Sequence, residues 1–289
     1  MKVTGFTFIR NAVKFDYPVV EAITSILPIC DNFVVAVGKS EDETRKLIEK
    51  IDPAKIKIID TVWDDNLRIG GKVLAEETNK AFDAIDDDTD WCFYIQGDEV
   101  VHEKYQSVIK EEMLKWKNSP EVEGLLLNYK HFYGSYDYVG DSRRWYRKEI
   151  RIIKNNKTIR SYKDAQGFRK NNRPLNVKPV DAFIYHYGWV KPPAAQQARL
   201  ETFHKLWHDE NWVNKNVVKA SEFDYSKIDN LAKFTGTHPD VMQERIKNKN
   251  WKFDFDPAQK KLSLKNKMLS IIEKRTGWRV GEYRNYRVV

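Results

Sequence analysis

The sequence predicts an α/β protein: a mixed, mainly parallel sheet flanked by helices, followed by a carboxyl-terminal helical extension. Three observations carry this. Short β-rich runs alternate with helical segments over the first hundred residues, the run Trp91-Cys92-Phe93-Tyr94-Ile95 is continuously apolar, and helical periodicity returns beyond Pro192. A strand apolar on both faces belongs in the middle of a covered parallel sheet.

Taken in order, residues 3–9 read as a strand, 17–26 as a helix and 32–37 as a strand. Residues 41–51 read as a helix with Ser40 as its N-cap, because a hydroxyl there accepts from a free first-turn N–H. A strand over 56–59, a helix over 71–85 and the strand over 91–95 complete the alternation, which implies right-handed crossovers. The regularity then weakens: a helix over 102–116, strands over 123–131, 144–153 and 181–186, and helices over 197–208 and 261–275. The natural division falls near residue 190, giving a ligand-binding and catalytic domain over 1–190 and a helical extension over 191–289.

Composition narrows the class. With 289 residues, 41% apolar and 13% aromatic, the chain can bury a large core. No apolar run approaches the roughly 18 to 20 residues that span a bilayer, and the amino terminus opens like a strand, so a cytoplasmic location is expected. Cys30 and Cys92 match no metal or redox spacing and read as reduced structural thiols. Residues 241–289 hold 13 Lys and Arg against 5 Asp and Glu, an excess equal to the whole-chain charge of +8. The first 240 residues are therefore near neutral and carry no helix-turn-helix, zinc or single-strand-binding signature, which argues against a nucleic-acid partner.

The chemistry gathers at the ends of the strands. The apolar run stops at Gln96-Gly97-Asp98-Glu99, and acids at a strand's carboxyl end stand where open α/β sheets bind ligands. Oxygen donors of this kind suit a hard divalent cation that holds a phosphate; the competing reading is a solvated acidic turn. Strand one ends in Ile9-Arg10-Asn11, strand two leads into Ser40-Glu41-Asp42-Glu43-Thr44, and a third junction carries Arg68-Ile69-Gly70-Gly71-Lys72. Glycine there allows close backbone approach, and Arg68 or Lys72 could face phosphate, against the alternative of solvated surface charges.

These junctions, in this order, resemble the family-two glycosyltransferases of the GT-A fold. The resemblance covers residues 3–103: Ser40, Asp42 and Thr44 resemble the family's Ser-x-Asp-x-Thr, Gly71 its Gly-bearing segment, and Gln96-Gly97-Asp98-Glu99 its metal-binding Asp-x-Asp region. It implies a nucleotide-sugar donor bound by Ile9, Arg10, Asn11, Ser40, Asp42, Arg68, Gly71, Lys72, Gln96 and Gly97, with Asp98 holding Mn²⁺ or Mg²⁺ against the diphosphate. Two departures stand out. Gln96 replaces the usual acid and supplies no charge, and no Asp lies near Val37-Gly38, where the family contacts the base.

His186, ending a short apolar strand, is the candidate second metal ligand; packing in the core is its alternative. An inverting transferase needs a carboxylate to deprotonate the acceptor hydroxyl. Asp164, in a Gly-bearing loop, is the first candidate, and a turn-forming Asp is the competing reading. Arg144 and Trp145 combine a planar cation with a sugar-stacking ring and are assigned to a glycan or lipid-linked acceptor. In the tail, Leu264, Met268, Ile271 and Ile272 fall on one helical face among basic residues, which suits either an anionic membrane surface or packing on the domain. A carbohydrate-binding protein of this fold without catalysis is the alternative to an enzyme. A nucleotidyltransferase is disfavoured because Ile9-Arg10-Asn11-Ala12 lacks a Gly-rich, Lys-bearing loop.

Overall fold

The computed structural model describes residues 1–64, 66–67, 70–217, 219–258 and 262–289. In chain order the elements are β1 (Val3–Ile9), α1 (Val19–Ile26), β2 (Asn32–Gly38), α2 (Thr44–Glu49), β3 (Ile56–Thr61), α3 (Lys72–Asp83) and β4 (Trp91–Tyr94). There follow β5 (Glu99–Val101), α4 (Gln106–Trp116), β6 (Gly124–Tyr133), β7 (Ser135–Gly140), β8 (Lys148–Lys154), β9 (Ile159–Tyr162), β10 (Gly167–Lys170) and β11 (Arg173–Trp189). The last part contains α5 (Pro193–His204), α6 (Glu210–Asn216), β12 (Leu231–Lys233), α7 (Gln243–Lys247), α8 (Leu264–Thr276) and β13 (Tyr286–Val288).

The sheet runs β3-β2-β1-β4-β8-β6-β11-β10-β9. Strands β3, β2, β1 and β4 are mutually parallel, β8 is antiparallel to both β4 and β6, and β11 returns parallel to β6. Alternation along β2 explains how both faces are covered. Phe33, Val35 and Val37 pack with Val19, Ile23 and Ile26 of α1 and Ile109 and Met113 of α4, while Val34 and Ala36 pack with Val73, Leu74, Ala81 and Phe82 of α3. Cys30 and Cys92 are free thiols buried in these layers.

Chain order decides where a ligand fits. From β1 the chain steps outward to β2 and β3, then returns to β4 on the other side of β1. The loops leaving β1 and β4 therefore diverge, opening a crevice at their carboxyl ends.

Several expected elements are revised. The helix expected over 41–51 begins only at Thr44, and Ser40 is not its cap because its hydroxyl is engaged by the β1 loop. Residues 144–147 are not strand: Arg143 and Arg147 are tied to Glu273 and Glu282, about 130 residues away, and β8 starts at Lys148. The strand expected over 181–186 is the centre of β11, which spans 17 residues and takes β6, β5, β10 and β13 as partners. Beyond residue 190 the chain also adds strand: β12 pairs with β7 and β13 with β11, while α5 packs over the crevice.

Candidate active site

A cavity of about 560 Å³ opens at the carboxyl ends of β1 and β4. Ile9, Arg10 and Asn11 from the β1 junction and Gln96, Gly97 and Asp98 from the β4 junction line it, together with Asp164 and His186. Asn11 takes a left-handed φ of 54°, which asparagine tolerates. A Cβ on Gly97 would come within 2.9 Å of Ile9 Cδ1, so a glycine lets the β4 junction close on β1.

The resemblance motif after β2 braces this cavity from behind. Ser40 Oγ accepts from Asn11 N (3.0 Å), Thr44 Oγ1 from Ala12 N (2.7 Å) and Asp42 Oδ2 from Lys14 N (2.7 Å). Asn11 Oδ1 accepts in return from Glu41 N (2.8 Å). Ser40 and Asp42 thus saturate the backbone of the β1 loop and do not line the cavity.

The adjacent acids at the end of β4 part company. Glu99 is fully buried and held by Arg151, whose Nε and Nη2 donate to it at 2.8 and 2.7 Å, and by the Tyr129 hydroxyl at 2.7 Å. It is therefore a core ion pair and supplies no oxygen to a ligand. Asp98 turns into the cavity, where β11 meets it. The antiparallel register sets His186 opposite Glu99, and Tyr187 N donates to Asp98 O at 2.8 Å.

His186 Nε2 lies 3.7 Å from Asp98 Oδ2, and Arg199 Nη2 lies 4.0 Å from the same oxygen. Burial opposes ionisation of Asp98, but His186, Arg199 and Lys191 outweigh it and hold the carboxyl well below its usual range. The other ring nitrogen of His186 is 3.0 Å from His131 Nδ1, while His131 Nε2 lies 2.8 Å from the Tyr146 carbonyl. Burial, and then His186, push His131 well below the usual histidine range, so it is neutral. With Nε2–H donating to that carbonyl, its Nδ1 accepts from His186 and leaves His186 Nε2 aimed at Asp98.

Gly188 gives this pair its room. A Cβ there would stand 2.6 Å from Asp98 Oδ2 and 2.7 Å from His186 Nε2. A carboxylate oxygen and an imidazole nitrogen 3.7 Å apart in the cavity wall fit a divalent cation that takes its remaining oxygens from phosphate and water. Among the described residues no group of three or more His, Cys, Asp or Glu converges in this way.

Asp164 sits in the turn between β9 and β10, flanked by Lys163 and Ala165 at φ 54° and 62°. Burial raises its carboxyl against hydrogen bonds from its own backbone and that of Gln166. Together with Tyr146 and Gln166, Asp164 also lines a second cavity of about 560 Å³, where Arg144 and Trp145 are found. Gly71, at φ 70°, backs this turn: a Cβ on it would lie 2.9 Å from Asp164 Cβ. Gly71 and exposed Lys72 stand outside both cavity linings, and Arg68 lies outside the described residues.

Residues not anticipated complete the first cavity. Arg199 and Phe203 reach it from α5 and Lys205 from the residue just after it, and Arg199 Nε donates to the Tyr17 hydroxyl at 2.9 Å. Lys191 is fully buried, donating to Phe15 O at 2.8 Å; burial and Arg199 bring its ammonium down to about 7. Trp63 forms a wall against Phe8, and Gly38 makes way for its indole. The clustering of Lys191, Pro192 and Arg199 around a helix start was the available signal for the α5 residues, but their direction depends on how α5 folds back.

No protein-family model and no curated protein matches this chain. Among solved structures it is similar to S. aureus TarS, at 13% identity and a TM-score of 0.43 over 70% of this chain and 39% of that one. It is also similar to S. aureus TarS 1-349 in complex with UDP, at 13% identity and 0.40, covering 76% of this chain and 68% of that one. A third is glucosyl-3-phosphoglycerate synthase from Mycobacterium tuberculosis in complex with Mn²⁺, UDP and phosphoglyceric acid, at 15% identity and 0.30, covering 46% and 43%. The chain spans about two fifths of the first of these proteins, and at these scores the likeness carries no functional argument.

Proposed function

We propose that this chain is a GT-A-like glycosyltransferase that moves a sugar from a nucleotide-diphosphate donor to an acceptor hydroxyl, with inversion at the anomeric carbon. The observation that carries the reading is the convergence of Asp98 and His186 over Gly188, inside a cavity at the switch point of a parallel sheet. Mn²⁺ or Mg²⁺ held by Asp98 and His186 would neutralise the departing diphosphate. Arg10, Lys14 and Lys205 line the same cavity and suit phosphate oxygens, and the Trp63 wall suits a base.

Asp164 is the proton acceptor in this reading. It borders both cavities, so an acceptor in the second one reaches it while the donor occupies the first. Its raised carboxyl range favours proton uptake over a solvent-exposed aspartate. Arg144 and Trp145 would bind the acceptor, a glycan or a lipid-linked sugar.

The test is calorimetric titration of UDP and GDP, each with Mn²⁺ or with chelator, into wild type and Asp98→Ala. Metal-dependent binding of one nucleotide, absent from the variant, is the expected result and names the base. If neither nucleotide binds with metal present, the transferase reading fails. Binding without transfer of sugar from the matching donor to any hydroxyl, water included, would leave a carbohydrate-binding protein instead.

A further inference from the structure

The tail helix α8 is docked with its apolar face turned outward. Leu264, Met268 and Ile271 are 80, 66 and 54% exposed, Ile272 is also exposed, and Trp278 just beyond the helix is 61% exposed. Residues at these spacings share one face of a helix, and a face of this composition ordinarily packs on its own domain. Here the opposite face does so. Glu273 accepts from Arg143 Nη1 at 2.7 Å and lies 3.3 Å from Arg147 Nη1 and 3.7 Å from Arg279 Nε. Three guanidiniums on one carboxylate fix the rotation of the helix about its axis, and that rotation points Leu264, Met268 and Ile271 away from the protein.

The ends of the helix are set locally. Ser263 Oγ accepts from Asn266 N, and Gly277, at φ 70°, closes the last turn. The outward face carries charge of one sign: Lys265, Lys267 and Lys274 flank it and Arg275 continues its line at the carboxyl end, all exposed. A second copy of this chain presenting the same patch would bring those cations together, whereas an anionic bilayer supplies counter-charge at headgroup depth and hydrocarbon beneath it. Exposed Trp278 and Tyr283 add ring systems suited to the same interfacial depth.

We propose that the outward face of α8 is a peripheral docking surface for an anionic lipid bilayer, with Leu264, Met268, Ile271 and Trp278 entering the acyl boundary and the lysines meeting the headgroups. This surface is independent of the proposed sugar transfer. No helix among the described residues is long and apolar enough to cross a membrane, so the contact is one of lying on the surface.

The experiment is sedimentation of the full chain with vesicles of phosphatidylcholine alone or mixed equally with phosphatidylglycerol, alongside analytical ultracentrifugation without lipid. Wild type is expected to partition to the anionic vesicles at least about tenfold more strongly than to the neutral ones. Met268→Asp with Ile271→Asp, and separately Lys265→Glu with Lys267→Glu, should each reduce that partition by about tenfold or more. All four side chains are exposed, and an unchanged melting temperature verifies the fold. Binding that ignores the Met268 and Ile271 substitutions would overturn the embedded face. Absence of vesicle binding would overturn the proposal outright, and if it came with a concentration-dependent dimer abolished by the same substitutions, the occupant is a second copy.

Discussion

His186 Nε2 stands 3.7 Å from Asp98 Oδ2, an approach that holds because position 188 is glycine and puts no Cβ against either atom. The pair is assembled by sheet register: β5 runs antiparallel to β11, and β6 brings His131 behind His186.

A methyl group at position 188 would push Asp98 Oδ2 and His186 Nε2 out of place without disturbing a special backbone conformation, since Gly188 lies within β11 and is not among the glycines with positive φ. Gly188→Ala should therefore abolish Mn²⁺-dependent nucleotide binding while lowering stability by only ~1–3 kcal/mol, as expected of overpacking. Calorimetry with and without metal, beside a denaturant melt, checks both halves. Unchanged metal-dependent binding would mean the cation sits elsewhere.

Asp164 borders both cavities, and its loss should separate chemistry from binding. Asp164→Asn keeps the shape and removes the proposed proton acceptor, so turnover should fall about 10²- to 10⁴-fold with donor affinity nearly unchanged. Steady-state transfer rates together with nucleotide titration measure the split. A fall in affinity with turnover preserved would make Asp164 a donor-positioning residue.

Arg151 lies between the rings of Tyr94 and Tyr129, at 5.2 and 5.3 Å, with its guanidinium on Glu99. Removing one member of a fully buried pair strands the other charge. Arg151→Met should cost about 3–5 kcal/mol in urea unfolding, and adding Glu99→Gln should recover part of it. A single-variant loss below about 1 kcal/mol would contradict the buried pairing.

Glu149 is buried with Gln166 Nε2 donating to it at 2.8 Å, and burial lifts its carboxyl to about 8 from an ordinary 4.5. The folded protein therefore holds a proton that the unfolded chain releases. The stability this proton contributes is complete below about pH 4.5, declines as pH rises, and is gone above about pH 8. Glu149→Gln is isosteric and cannot ionise, so its stability advantage over wild type should grow across that window by up to ~1.4 kcal/mol per pH unit and then level off. Urea midpoints at several pH values give the curve, and a constant difference would show that folding leaves the Glu149 carboxyl unshifted.

How much of this was legible beforehand varies along the chain. The parallel half was readable from residues 3–95 because strand and helix periods are local, and buried strands such as β4 announce themselves by composition. Short β5 and the full length of β11 were not, since β11 finds β5 and β6 as partners from far away in sequence. Ser40 and Asp42 show the same divide: their motif was visible, but their bonds to Asn11 and Lys14 depend on two loops meeting.

By itself the sequence determined the alternation that builds the sheet, the polar junctions at its carboxyl edge, the acid ending β4 and the basic apolar tail helix. These follow from the chemistry of neighbouring residues, a few positions apart at most. Only the tertiary structure decided that Asp98 faces the cavity while Glu99 turns into the core, that His186 rather than Glu99 is its companion, and that α8 shows its apolar side to the outside. Strand register and the ion pairs of Glu273 set those directions, and both depend on partners brought together from distant parts of the chain.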